Sequence, residues 1–193
     1  KLVNDDIFAL LVLRKAGYDS SDDIVSKTAQ FILSNQREEG SFTGGVDITA
    51  AAIQTLALLP DINEVPDAMA KAKTYILSQQ QPDGGFGNPE ATSWALQAGA
   101  SLGEDWRQLK KNNNSPGGYL FHLQRMDGSL LSPTPVWSTA YAVPAALLKS
   151  WGMILQDFEK KVPLFQQIVQ QLRLLAKEVE KLQAEVAGLW ITQ

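Results

Sequence analysis

The stretch QQQPDGGFG, residues 79–87, interrupts a helical pattern with Pro82, turns through Gly84 and Gly85, and lands on Phe86. Proline cannot continue a helix interior, and glycine takes the left-handed conformation that closes one. A phenylalanine directly after such a turn is unusual, because loops are mostly polar. The stretch recurs. FILSNQREEGSF begins at Phe31, YILSQQQPDGGF at Tyr75 and YLFHLQRMDGSL at Tyr119, so the copies start 44 residues apart. Phe31, Tyr75 and Tyr119 correspond, as do Gln36, Gln80 and Gln124, then Gly40, Gly84 and Gly128, then Phe42, Phe86 and Leu130. Two equal periods with four matched columns make the turn a repeated structural part.

A second helix follows each copy: DITAAAIQTLALL from Asp47, ATSWALQAGASL from Ala91 and VWSTAYAVPAALL from Val136. These are apolar nearly all round and rich in small residues, so they are expected to be buried inner helices. The first helices carry Lys27, Asp67, Lys71 and Lys73, which predicts one wet face and an outer layer. NDDIFALLVLRKAG from Asn4 reads as a further inner helix whose outer partner is missing. With Lys1 in place of an initiator methionine, this leads to the expectation of a C-terminal fragment that starts within a repeat.

Composition narrows the chemistry. The 193 residues are 45% hydrophobic and 20% charged, which fits a globular protein with a sizeable core. A formal charge of −4 offers no basic footprint for nucleic acid. The chain has no cysteine, which removes disulfides, thiolate zinc sites, iron–sulfur clusters and cysteine nucleophiles. No apolar run approaches the ~20 residues of a membrane span.

The pattern aromatic–aliphatic–x3–Gln–x3–Gly–x–aromatic resembles the QW motif of the terpene cyclase and protein prenyltransferase superfamily. It covers residues 4–151, and NDDIFALL and GGFGNPEATSWALQA are most similar to bacterial prenyltransferase/squalene-oxidase repeat proteins. The helical domain of cobalamin carriers is similar too. The resemblance implies an all-α fold, a partial α/α toroid of helical hairpins, and a cell-surface or extracellular setting. It also implies that Gln36 with Phe42, Gln80 with Phe86 and Gln124 with Leu130 staple each outer helix to its neighbour. The family's tryptophan is Phe, Phe and Leu here, so stacking weakens and is lost in the third copy.

Catalytic motifs of the superfamily are incomplete. A cyclase acid of the Asp-x-Asp-Asp type meets Val3-Asn4-Asp5-Asp6, where the first Asp is Val; adjacent carboxylates also suit a helix N-terminus. A prenyltransferase zinc site needs Asp, Cys and His, and the only histidine is His122, placed on an outer helix as a structural residue. The thioester Cys-Gln pair is absent, and no cofactor or metal is expected. What remains is a surface at one rim of the inner helices: Asp47, Glu90, Trp94, Trp137 and Tyr141. Aromatics beside carboxylates suit a small organic ligand with a polar group. The alternative is that Asp47 and Glu90 cap helices and Trp94 and Trp137 belong to the core.

After residue 155 the composition changes, giving two expected domains, 1–155 and 156–193. Apolar residues fall at Phe165, Ile168, Leu172, Leu175, Val179, Leu182, Val186 and Leu189, alternately three and four apart. This is a heptad seam about 36 Å long, with Pro163 suited to its first turn. It predicts a coiled coil; the alternative is a helix that packs back on the repeats. Two readings of function follow. One is a non-catalytic toroid module that binds a ligand or protein partner. It would oligomerise through its tail or be completed by missing repeats. The other is a terpene-cyclase-like enzyme fragment whose acid lies in missing sequence.

Overall fold

The computed structural model describes residues 3–43, 45–161 and 164–191. Its described residues form nine α-helices and no strand. They divide into two compact units between Phe158 and Glu159.

In the first unit, α1 (Val3–Lys15), α3 (Val46–Leu56), α5 (Pro89–Ser101) and α7 (Pro135–Ala146) form a row in which each packs on the next. The sequence explains why. In α3 every residue from Thr49 to Leu56 is buried, and in α5 every residue from Ala91 to Ala100. Helices built of Ala, Ser and Thr approach closely on both flanks. The second row comprises α2 (Asp23–Ser34), α4 (Val65–Ser78) and α6 (Pro116–His122). Here only a stripe is buried: Val25, Ala29 and Ile32 in α2, and Val65, Ala68, Ala72 and Ile76 in α4. That spacing of three and four is one helix face. Prolines in the first turn start α4, α5, α6 and α7. The Asn88 carboxamide caps α5 by accepting from Ala91 N–H at 2.7 Å.

The pairing of rows differs from the sequence expectation. Helix α2 lies on α1, α4 on α3 and α6 on α5. So α1 has an outer partner, and it is α7 that no outer helix covers among the described residues of this unit. The result is visible in exposure. Helix α7 has the composition of a buried helix, yet Val136 is 80% exposed, Val143 53% and Leu147, just past its end, 66%.

After α7 the chain turns through Leu148, at φ 52°, into the short α8 (Trp151–Ile154). Helix α8 rests against α3 and α5. The unit ends where Phe158 N–H donates to Lys15 C=O at 2.7 Å, three residues past the boundary read from composition. The second unit holds α9 (Leu164–Ile191). Its seam residues Ile168, Leu172, Leu175 and Val179 are exposed. Pro163 and the side chains of Phe165, Leu182, Val186 and Leu189 lie outside the described residues. No described helix is long and apolar enough to cross a membrane.

Candidate functional site

The repeated turns set the geometry on which any site rests. The Gln36 amide donates to Gly40 C=O at 3.0 Å within its own turn and to Ala68 C=O of α4 at 2.7 Å. Gln80 does the same toward Gly84 C=O at 3.1 Å and Leu109 C=O at 3.4 Å. Gln124 makes no side-chain hydrogen bond among the described residues. The glycines follow suit. A Cβ on Gly40 would stand 2.4 Å from the Lys71 carbonyl oxygen, and one on Gly84 2.5 Å from Ser115 N. Around Gly128 nothing lies within 4 Å. The first two turns are therefore covered by the next element, and the third is bare. Phe42, Phe86 and Leu130 are all buried.

Threonines that sequence reasoning missed close each turn. Thr49 Oγ1 accepts from Phe42 N–H at 3.0 Å, Thr92 from Phe86 N–H at 2.9 Å and Thr139 from Leu130 N–H at 2.9 Å. Each hydroxyl in turn donates one helical turn back, to Gly45, Asn88 and Pro135 C=O. The signal was present but out of register with the 44-residue period.

The expected rim residues come together in part. Trp94 stands at the centre of an aromatic wall: its ring lies 5.8 Å from Phe8, 5.5 Å from Tyr141 and 6.2 Å from Trp151. Trp137 extends the wall, 6.2 Å from Tyr141. Phe8 and Trp151 were not foreseen. Burial grades along the row, from Trp94 at 9% exposed to Trp137 at 63%. Glu90 is half-buried beside it, accepting from Thr134 Oγ1 at 3.1 Å and from the Ser138 hydroxyl. These bonds, with Gln97 to Tyr141, show that α5 and α7 run parallel. Asp47 is exposed, and its carboxylate accepts from Ile48 N–H at 2.9 Å in its own first turn. Asp5 and Asp6 open α1, Asp6 buried and Asp5 exposed. His122 ends α6, exposed, with Nδ1 2.7 Å from Gly118 O.

Polar groups sit deeper. Gln54 is 1% exposed and Gln97 is 0% exposed. Gln54 Oε1 accepts from Trp151 backbone N–H at 2.9 Å, and Gln97 Nε2 donates to Tyr141 C=O at 2.8 Å. The other end of each amide, Gln54 Nε2 and Gln97 Oε1, is buried without a partner, as is Trp151 Nε1. Electrostatics away from the wall are structural. The Lys73 ammonium and the Trp106 indole N–H, the latter at 2.8 Å, hold the Glu104 carboxyl below its ordinary range. Burial pushes the Tyr119 hydroxyl up, where its ring covers Gly85. Among the described residues no group of three or more His, Asp or Glu is placed to hold a metal ion.

Stacked ring faces offer apolar contact and can stabilise a cation, with one carboxylate at the margin. Comparison with known proteins gives a likeness of the same kind, to a terpene synthase. It is the drimenyl diphosphate synthase of Streptomyces showdoensis, 29% identical over 167 residues. The match takes in 74% of this chain and 30% of that protein. No family model matches the chain, and no solved structure does. The likeness lies with the terpene-cyclase-like reading and lends nothing to a non-catalytic scaffold.

Proposed function

We propose that this chain is a terpene-cyclase-like helical segment whose aromatic wall binds an isoprenoid. The observation that carries the reading is the row Phe8–Trp94–Tyr141–Trp137, assembled from three inner helices with Trp151 behind it. An isoprenoid chain offers branched apolar groups and π bonds, and ring faces complement both. The distant likeness to a synthase of drimenyl diphosphate supports the ligand class. In this reading the Gln and Phe or Leu of each turn are structural staples.

The reading includes a partner for α7. The bare turn at Gly128, the unbonded Gln124 and the exposed flank of α7 are what the first two repeats would look like without the element that covers them. A further hairpin, from a longer chain or another molecule, would complete the row. Cyclisation is not assigned to the chain alone, because Val3 stands where the Asp-x-Asp-Asp acid begins.

Titration with farnesyl diphosphate, followed by tryptophan fluorescence and calorimetry, tests the proposal. Trp137→Ala is the informative variant, because an exposed ring can be removed without unfolding the core. Binding weakened at least tenfold, with an unchanged melting temperature, is expected. An unchanged Kd would remove the wall from function. Product analysis in the same assay is expected to find no cyclised terpene. Cyclised product abolished by Asp5→Asn or Asp6→Asn would restore catalysis to this chain.

A further inference from the structure

Three unsatisfied polar atoms lie around the inner end of the aromatic wall, and their signs are set by the backbone. Gln54 must turn Oε1 toward the Trp151 N–H, so the buried end left over is the donor Nε2. Gln97 must turn Nε2 toward the Tyr141 C=O, so the end left over is the acceptor Oε1. Trp151 Nε1 adds a second donor. Gln54 and Gln97 are each the ninth residue of their helices, and Trp94 is the sixth of α5, so Gln97 lies about 4.5 Å further along the axis than Trp94. Trp151 is tied to Gln54 by its backbone and to Trp94 by its ring. The three side chains are thus linked to one another through Trp94 and Trp151.

A buried donor or acceptor left without a partner is destabilising. Three linked in this way call for a common occupant that both accepts and donates. None of the three atoms carries charge, so nothing here neutralises a phosphate. The group that matches two N–H donors and one carbonyl acceptor is a hydroxyl. We propose that Gln54, Gln97 and Trp151 form a hydroxyl-binding site at the deep end of the wall, and that the ligand it takes is a terpenoid alcohol. This rests on the isoprenoid reading of the wall and adds to it the oxygen that orients the chain.

The test compares farnesol, the matched hydrocarbon farnesene and farnesyl diphosphate on the full chain by calorimetry. Farnesol is expected to bind at least tenfold more tightly than farnesene. Gln97→Leu is expected to bring the two within twofold of each other while the affinity for farnesene stays the same. Trp151→Phe, which removes the indole N–H and keeps a ring and the backbone donor, is expected to bring alcohol and hydrocarbon within twofold of each other, read as their ratio because this ring also stands at the wall, and serves if Gln97→Leu does not fold. Equal binding of alcohol and hydrocarbon overturns the hydroxyl site and leaves the wall standing; it would mean that the orphan atoms hold only water. Binding of none of the three removes both readings. Diphosphate binding tighter than the alcohol, and lost in Trp151→Phe, also overturns the proposal, since a neutral site cannot prefer the anion.

Discussion

Replacing the three repeated glutamines one at a time by alanine separates their roles within one molecule. Gln36 and Gln80 each donate two hydrogen bonds, one inside the turn and one to the following element. Gln124 donates none among the described residues. Truncation at Gln36 removes a bond from the carbonyls of Gly40 and Ala68; truncation at Gln80 removes one from those of Gly84 and Leu109. Leaving buried partners unmet costs about 1–3 kcal/mol. The 3.4 Å bond from Gln80 is long, which places Gln80 in the lower half of that range despite its deeper burial. For a unit of this size each kcal/mol moves the melting temperature by about 2–4 °C. Gln36→Ala and Gln80→Ala should therefore melt several degrees below the parent. Gln124→Ala should lie within ~0.5 kcal/mol of it, as surface changes do. Urea unfolding followed by circular dichroism gives all three on one scale. Equal losses at all three positions, or no loss at any, would refute the idea that the amides act by bridging successive repeats.

The glycines should obey the same division. Gly128→Ala carries only the strain of φ +87°, about 1–2 kcal/mol, whereas Gly84→Ala adds a collision with the Ser115 backbone worth about 1–3 more, a difference readable by thermal melts. The lowered Glu104 carboxyl stabilises the fold above its ordinary 4.5, and that contribution disappears as pH falls through its lowered titration. Melting temperature measured from pH 6 to pH 3 should fall less steeply in Glu104→Gln than in the parent. In α9, Leu172→Glu with Leu175→Glu should abolish self-association of the full chain without loss of helix; an unchanged mass by light scattering would show that the seam is not an interface.

Much of the helical plan could be read from the chain because two signals agree in it. The glycine turns punctuate, and the all-round apolar runs between them have no wet face, as α3 and α5 show. Composition fails at α7, which reads like its predecessors yet exposes Val136, Val143 and, just past its end, Leu147. A helix carries the same residues whether or not a neighbour covers it. Helix α2 packs on α1 although a turn joins it to α3, so connection along the chain does not predict contact here. At the wall, Trp94, Trp137, Tyr141 and Glu90 were legible as aromatics and a carboxylate on the inner helices. Phe8 and Trp151 were not, since they arrive from the two ends of the unit. Asp47 looked equivalent to Glu90 but bonds to its own helix, while Glu90 meets hydroxyls of α7.

The closing threonines lie seven, six and nine residues after the aromatic or leucine whose N–H they hold. The joint between turn and inner helix is therefore made by a side chain, not by the length of the connector. The part of the third connector that precedes its inner helix is thereby freed from setting this joint, and residues can enter or leave it without rotating one helix against the other. It is the natural place for an insertion, a protease site or a grafted loop, and the 131–133 connector, ahead of the first turn of α7 and of Thr134, is where laboratory variants should tolerate length changes best.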